Sequence, residues 1–369
     1  MKKVLIDAYL EKNLGDDLFV KILLDKYPNV KWYINAQKKY SDIFKKYNNV
    51  KILNDSILRR IINRFDITKK ISIKIQSIKY DAIMIIGGSL FMEDCYSDTV
   101  LEYRKKIISI FNKRNKKIFI LGANFGPYKT KGFLEKYKNI FSLCDDVCFR
   151  DNYSFELFSD MNNVRCASDI VFQLNKEIVN KIDNNIGISI INLKNREGLN
   201  NYKDRYENKI IDLLEYGCKI NKKFTLFSFC EYEGDKESIE NIMNKINKKY
   251  TSDIRIVNYN GDIDYFIKRF SEMESIIGTR FHSIILSQLF KQNIFPIIYN
   301  EKSLNTLKDL GLSDIQCDIK EFCNMKEEDI INKMNNNKIC CDEIIESSKK
   351  HFNKFEMFLM GNKDEEKVC

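Results

Sequence analysis

The chain has 369 residues, enough for two domains at roughly 100–200 residues each. Hydrophobic residues make up 44% and charged residues 31%, which excludes a disordered chain and predicts a packed core. The net charge of +9 is spread along the chain with no Lys/Arg arm, which argues against nucleic acid as a partner. It fits a solvated basic surface, and alternatively attraction to a phosphorylated substrate or an anionic membrane face.

The start, Met1-Lys2-Lys3-Val4-Leu5-Ile6-Asp7, has the outline of a signal peptide. Asp7, Glu11 and Lys12 interrupt the apolar run, so it reads as a first strand at 4–6. A helix at 17–26 follows, with Leu18, Ile22 and Leu23 on one side. Further strands are expected at 31–35, 50–53, 81–86, 117–121 and 146–149, several ending in glycine or in Arg150-Asp151. The segment 174–185 is polar and patternless. The rhythm then restarts with strands at 186–190, 224–229, 254–257, 275–277 and 294–298. A helix is expected at 342–359. Strand–loop–helix alternation argues for parallel sheets covered by helices. The fold class expected is α/β, two Rossmann-like domains facing across a cleft: 1–178, 179–341, and a terminal helix and tail, 342–369, packing back on the first.

The 11 cysteines form no Cys-x-x-Cys pair. Cys144 and Cys148, placed four apart on an expected helix, and the adjacent Cys340 and Cys341 lack partners at zinc spacing. They read as reduced core thiols in a cytosolic protein, and no metal site is expected. No apolar run approaches the roughly 20 residues that span a bilayer. Neither a G-x-G-x-x-G nor a P-loop occurs. The glycines instead sit at the carboxyl ends of expected strands, where open α/β sheets bind ligands.

Of two histidines, His351 falls among Lys349, Lys350 and Lys354 and reads as a solvated helix residue. His282 lies in Gly278-Thr279-Arg280-Phe281-His282-Ser283, between an expected strand and an apolar helix. Arg280 and His282 would then stand at a helix start whose amides favour an anion. Arg280 offers a planar fork for carboxylate or phosphate, and His282 a proton near neutral pH. A structural arginine and a buried, hydrogen-bonded histidine are the alternative. The first βα loop, Asn13-Leu14-Gly15-Asp16-Asp17, is the second candidate. One aspartate can cap the next helix, leaving the other for a sugar hydroxyl or a proton.

Together these pieces resemble the polysaccharide pyruvyl transferase family. The resemblance rests on Asn13-Leu14-Gly15-Asp16, Gly87-Gly88-Ser89 after a strand, Gly122-Ala123-Asn124-Phe125-Gly126-Pro127, Arg150-Asp151-Asn152-Tyr153-Ser154 and Ser168-Asp169. It is completed by Gly278-Thr279-Arg280-Phe281-His282 and Tyr299-Asn300-Glu301-Lys302, in order over about 5–305. It implies a GT-B-like fold and transfer of pyruvate from phosphoenolpyruvate to two hydroxyls of a sugar, giving a ketal and phosphate, with no cofactor. The acceptor would be a cell-surface polysaccharide or its lipid-linked oligosaccharide precursor, reached in the cytoplasm or at the inner membrane surface. Under this resemblance His282, Arg280 and Asp16 are catalytic. The donor meets Arg280, Lys302, Gly278, Thr279 and Ser283. The acceptor meets Asn13, Gly15, Asp17, Gly87, Gly88, Ser89, Asn124 and Arg150. A nucleotide-sugar glycosyltransferase of the same architecture and a non-catalytic carbohydrate- or anion-binding protein remain the rival readings. Oligomeric state is left open.

Overall fold

The computed structural model describes residues 1–36, 40, 42–54, 77–94, 97–175, 179–194, 196–335 and 342–361. Within them the apolar runs of the sequence are the strands of two parallel sheets. The first holds β1 (Lys3–Ala8), β2 (Lys31–Ala36), β3 (Val50–Asn54), β4 (Ala82–Ile86), β5 (Lys117–Ala123), β6 (Asp146–Phe149) and β7 (Val164–Cys166), in the order β3-β2-β1-β4-β5-β6-β7. Helices α1 (Leu14–Lys26), α2 (Ser97–Asn112), α3 (Lys131–Phe141) and α4 (Asn152–Glu156) connect them. Every residue of β4 is buried, as a central strand covered on both faces requires. α3 shows why these helices form. Thr130 caps it by accepting from Phe133 N, and Phe133, Tyr137, Ile140 and Phe141 make one buried stripe.

The second sheet holds β8 (Ile182–Ile190), β9 (Lys223–Ser228), β10 (Ile254–Asn258), β11 (Met273–Gly278), β12 (Asn293–Ile298) and β13 (Cys317–Asp318), in the order β10-β9-β8-β11-β12-β13. Its helices are α5 (Lys203–Lys219), α6 (Asp235–Lys245), α7 (Ile263–Ser271), α8 (Phe281–Leu289), α9 (Glu301–Asp309), α10 (Ile319–Phe322) and α11 (Glu327–Asn335). The chain ends in α12 (Asp342–Lys349) and α13 (Asn353–Met360). In each sheet the strand order reverses once, between β1 and β4 and between β8 and β11. Such switch points leave a crevice at the strands' carboxyl ends.

The chain divides into two compact units: Met1–Leu10, Phe19–Gln173 and Ile345–Cys369 in the first, Glu11–Leu18 and Leu174–Ile344 in the second. The main division thus precedes the expected 178/179 boundary, and the Asn13 loop groups with the second unit. The physical reason is backbone pairing. Leu14 N donates to Phe229 O at 3.1 Å, and Asn13 bridges Cys230. β8 begins inside the segment expected to be patternless, because its first three residues are exposed and polar or edge-like. β7 and β13 were too short to leave an apolar run.

The terminal segment is not one helix. A 3-10 turn, Lys350–Phe352, separates α12 from α13. Arg165 holds this turn: its guanidinium binds both oxygens of Asp146 at 2.7 Å and donates to His351 O at 2.7 Å. His351 is therefore not a solvated residue; it is fully buried. Cys148 lies on strand β6 and Cys144 after α3, not on a shared helix, and both are buried free thiols. Cys340 and Cys341 lie outside the described residues.

Burial, aided by the Arg165 charge, pulls the His351 imidazole from 6.5 to about 3. A depressed folded pKa means the unfolded chain takes up the proton first. His351's contribution is intact above pH 6.5 and is lost as pH falls towards 3. Urea unfolding should therefore lose about 1.4 kcal/mol per pH unit through that window from this group. His351→Leu should flatten that component; an unchanged acid slope in the variant would show that other groups set it.

Candidate functional site

The second unit builds its site where β11 leaves the sheet. Thr279 N and Arg280 N both donate to Ser189 Oγ at the end of β8, at 2.8 and 3.1 Å. Ser189 Oγ lies 2.7 Å from Ser283 Oγ, which donates to Arg280 O. Thr279 Oγ1 meets Tyr206 OH at 3.2 Å. Gly278 leaves room for Ser283 and Ile284, whose atoms would lie 3.0 Å from an added Cβ. So Gly278, Thr279 and Ser283, expected to touch a donor, form the buried turn that fixes Arg280 at the N-cap of α8.

The Arg280 side chain is not an open fork. Nε donates to Asp235 Oδ2 at 3.0 Å, Nη2 to Asp235 Oδ1 and Nη1 to Glu233 Oε2. Asp235 is completely buried, and Phe229 N and Cys230 N donate to it at 3.1 and 3.0 Å. Burial opposes the Arg280 charge, but Asp235 and Glu233 more than offset it and hold the pKa well above its ordinary value. Arg196 Nη2 also donates to Glu233 Oε2, at 2.6 Å, and its guanidinium lies over the Tyr299 ring at 4.9 Å. Burial works against Glu233's charge; Arg280 and Arg196 outweigh it and bring the carboxyl down to about 2.

The loop before α1 joins this group. Asn13, not an aspartate, accepts from Gly15 N through its side chain, at 3.2 Å, and Asn13 Nδ2 reaches Glu233 Oε1 at 3.5 Å. Asp16 and Asp17 lie inside the first turn of α1. His282 is half-buried, with its ring against Gly15: a Cβ there would meet Nδ1 at 1.9 Å. Gly15 has ordinary helical backbone, so glycine serves here for room. Asp17 is fully buried and accepts from Tyr259 OH at 2.6 Å through Oδ2, while Oδ1 has no partner. Burial, partly countered by Tyr259, pushes the Asp17 carboxyl up to about 8.

The remaining residues expected to meet the acceptor lie in the first unit. Arg150 is buried, donating to Asp169 Oδ2 at 2.8 Å and Asn124 Oδ1 at 2.9 Å. Its guanidinium packs on Gly88, 2.6 Å from where a Cβ would be. Asn124 N donates to Gly88 O, and Gly87 N to Leu121 O. Arg150 and Asn124 therefore brace the loop after β4 from beneath instead of offering an open binding surface; Ser89 is exposed there. Lys302 lies in α9, with its side chain outside the described residues. Glu233, Asp235, Arg196 and Tyr259 escaped the sequence reading. Their one local signal is Glu233-Gly234-Asp235, a glycine between carboxylates just past a strand.

The model of polysaccharide pyruvyl transferases matches residues 13–301. The chain belongs to that family. The amylovoran biosynthesis protein AmsJ of Erwinia amylovora is 22% identical over 279 residues, 70% of this chain and 65% of that protein. The match thus spans just under two thirds of that relative's length. Among solved structures, UDP-GlcNAc 2-epimerase from Methanocaldococcus jannaschii superposes with a TM-score of 0.62 at 12% identity, over 98% of this chain and 100% of that one. The Neisseria meningitidis enzyme of the same name gives 0.56 at 10% identity, over 98% and 100%. These likenesses give the fold as α/β of the GT-B type. Among the described residues no helix is long and apolar enough to cross a membrane, and no group of three or more His, Cys, Asp or Glu could hold a metal ion.

Two variants test this geometry. Gly15→Ala suits a helical backbone, so the protein should still fold, while the imidazole of His282 must move to admit the Cβ. The chain has two histidines, so two imidazole NMR signals are expected; only that of His282 should shift. If neither moves, the ring does not sit on Gly15. Asp17→Asn removes a carboxyl whose folded pKa is raised from 3.8 to about 8. The folded state loses stability from this group as pH rises through that range. The variant's gain in melting temperature should therefore grow between pH 4 and 8; a gain independent of pH would refute the buried-acid assignment.

Proposed function

We propose that the protein transfers pyruvate from phosphoenolpyruvate to a sugar diol of a cell-surface polysaccharide or its lipid-linked precursor, forming a ketal and releasing phosphate. The observation that carries this reading is the meeting of the two motifs: the Asn13–Asp17 loop and the Arg280–His282 turn, far apart in sequence, share one site in the second unit. In the reaction, a proton added to the methylene carbon makes C2 of the enol electrophilic. One sugar hydroxyl forms the first C2–O bond, a neighbouring hydroxyl forms the second, and the C2–O bond to phosphate breaks. Of the two hydroxyl protons released, one is taken up by the methylene carbon, which becomes a methyl group, and the other leaves with the phosphate as hydrogen phosphate.

His282 is the group for that proton, half-buried and held by its contact with Gly15. Asp16, in the first turn of α1, would orient or deprotonate the acceptor. Lys302 would add a positive charge for the donor, and Ser89 a hydroxyl on the acceptor side. Asp235 anchors Arg280 along Nε and Nη2, so the Nη1 end, directed at Glu233, is the part that would meet the donor. The scheme calls for no cofactor beyond the donor. A lipid-linked acceptor would bring the protein to the cytoplasmic face of the membrane.

Phosphate release with phosphoenolpyruvate and candidate glycans, run beside turnover of nucleotide sugars, tests the reading. Turnover of a nucleotide sugar with none of phosphoenolpyruvate would sink it. His282→Gln keeps a hydrogen bond but cannot move a proton near neutral pH. It should fold normally and lose roughly 10²–10⁴-fold in turnover, the usual worth of general acid–base catalysis. Wild-type turnover in this variant would remove His282 from the proton transfer.

A further inference from the structure

Glu233 stands apart from the other buried or half-buried carboxylates of the second unit. Arg196 Nη2 and Arg280 Nη1 converge on one of its oxygens, and the Asn13 amide faces the other at 3.5 Å. Two guanidinium groups on one oxygen and an amide on its twin make a cradle for a planar carboxylate. We propose that Glu233 is an internal occupant of this cradle, and that Arg196, Arg280 and Asn13 receive the carboxylate of a small acid when Glu233 turns away. That the acid is the enol-phosphate donor rests on the reading above; the cradle does not.

Three features let Glu233 leave without disturbing the rest. Arg280 keeps its orientation, because Asp235 holds Nε and Nη2 and is itself fixed by two backbone amides. Arg196 keeps its place over Tyr299, and its buried Nε has no hydrogen-bond partner. The Glu233 side chain is 28% exposed, against 0% for Asp235, so it can rotate into water while Asp235 cannot. Charge sets the stoichiometry. Two arginines face two carboxylates, and departure of Glu233 leaves one positive charge to be met by one carboxylate. The loop backbone is pinned independently: Gly234 has a φ of +87°, and Asn192 packs on it, 2.7 Å from where a Cβ would be. The movement is thus confined to a side chain.

An internal competitor lowers apparent affinity by the fraction of time that the site stands open. A competitor in place about nine-tenths of the time costs about tenfold, and Glu233→Ala should recover it. The measurement is calorimetric titration of wild type, Glu233→Ala and Glu233→Gln with phosphoenolpyruvate, with lactate as a carboxylate lacking phosphate, and with inorganic phosphate. Glu233→Ala should bind the first two about tenfold tighter and phosphate little changed; Gln, which still fills the cradle, should gain less. Adding Arg196→Ala should erase the gain. Glu231→Gln, on the same loop but paired with Lys236, should have no such effect. Unchanged or weaker carboxylate binding in a folded Glu233 variant overturns the proposal. An equal gain for phosphate, or an equal gain in Glu231→Gln, also overturns it, as relief of general repulsion. Tighter lactate binding without turnover of phosphoenolpyruvate would leave the cradle standing and remove the pyruvyl transfer.

Discussion

A buried guanidinium must find its counter-charge, and the second unit is organised around that requirement. Arg280 is 7% exposed and Asp235 fully buried. Removing one partner of such a pair leaves a stranded charge and typically costs about 3–5 kcal/mol. Asp235 in turn is held by the amides of Phe229 and Cys230, and the Phe229 carbonyl accepts from Leu14 N. One residue at the exit of β9 therefore ties the Arg280 anchor to the loop that carries Asn13 and Gly15. His282 rests on that loop. Its placement depends on a chain of contacts starting from an ion pair that need not meet any ligand.

Glycines mark where this arrangement is tightest, for different reasons. At Gly15 the backbone is helical and any residue could adopt it; only the imidazole excludes a side chain. At Gly234 both the left-handed backbone and the Asn192 side chain exclude one. At Gly88 in the first unit it is the Arg150 guanidinium. The sequence marks Gly15 and Gly88 as loop glycines after strands, and Gly234 lies in a segment that carries no such expectation. What each makes room for is set by residues tens to hundreds of positions away.

That contrast explains what could be read in advance. Apolar runs such as Ala82–Ile86 announce strands because burial on both faces leaves no other composition. The Arg280–His282 turn was legible because it combines a strand end, a helix start and rare residue types. The pairing of Arg280 with Asp235 was not, since nothing local in either segment names the other. For the same reason Arg150 looked like an open ligand group and is a buried brace with Asp169. His351 failed differently. Its lysine neighbours suggest a solvated face, but the turn at Lys350–Phe352 breaks the helical phase on which that inference depends.

Two carboxylates of the second unit are driven in opposite directions. Glu233, between two arginines, is held near 2, whereas Asp17, enclosed with Tyr259, is pushed to about 8. Environments that separate like groups in this way divide their labour. Glu233 stays ionised at neutral pH, which is why it can stand in for an anionic ligand. Asp17 keeps its proton, so the first turn of α1 carries less negative charge than its sequence, Gly15-Asp16-Asp17, announces. Tyr259, directly after β10, donates to Asp17, so the acidic start of α1 is tied to the second sheet by a hydrogen bond from a neutral phenol and not by an ion pair.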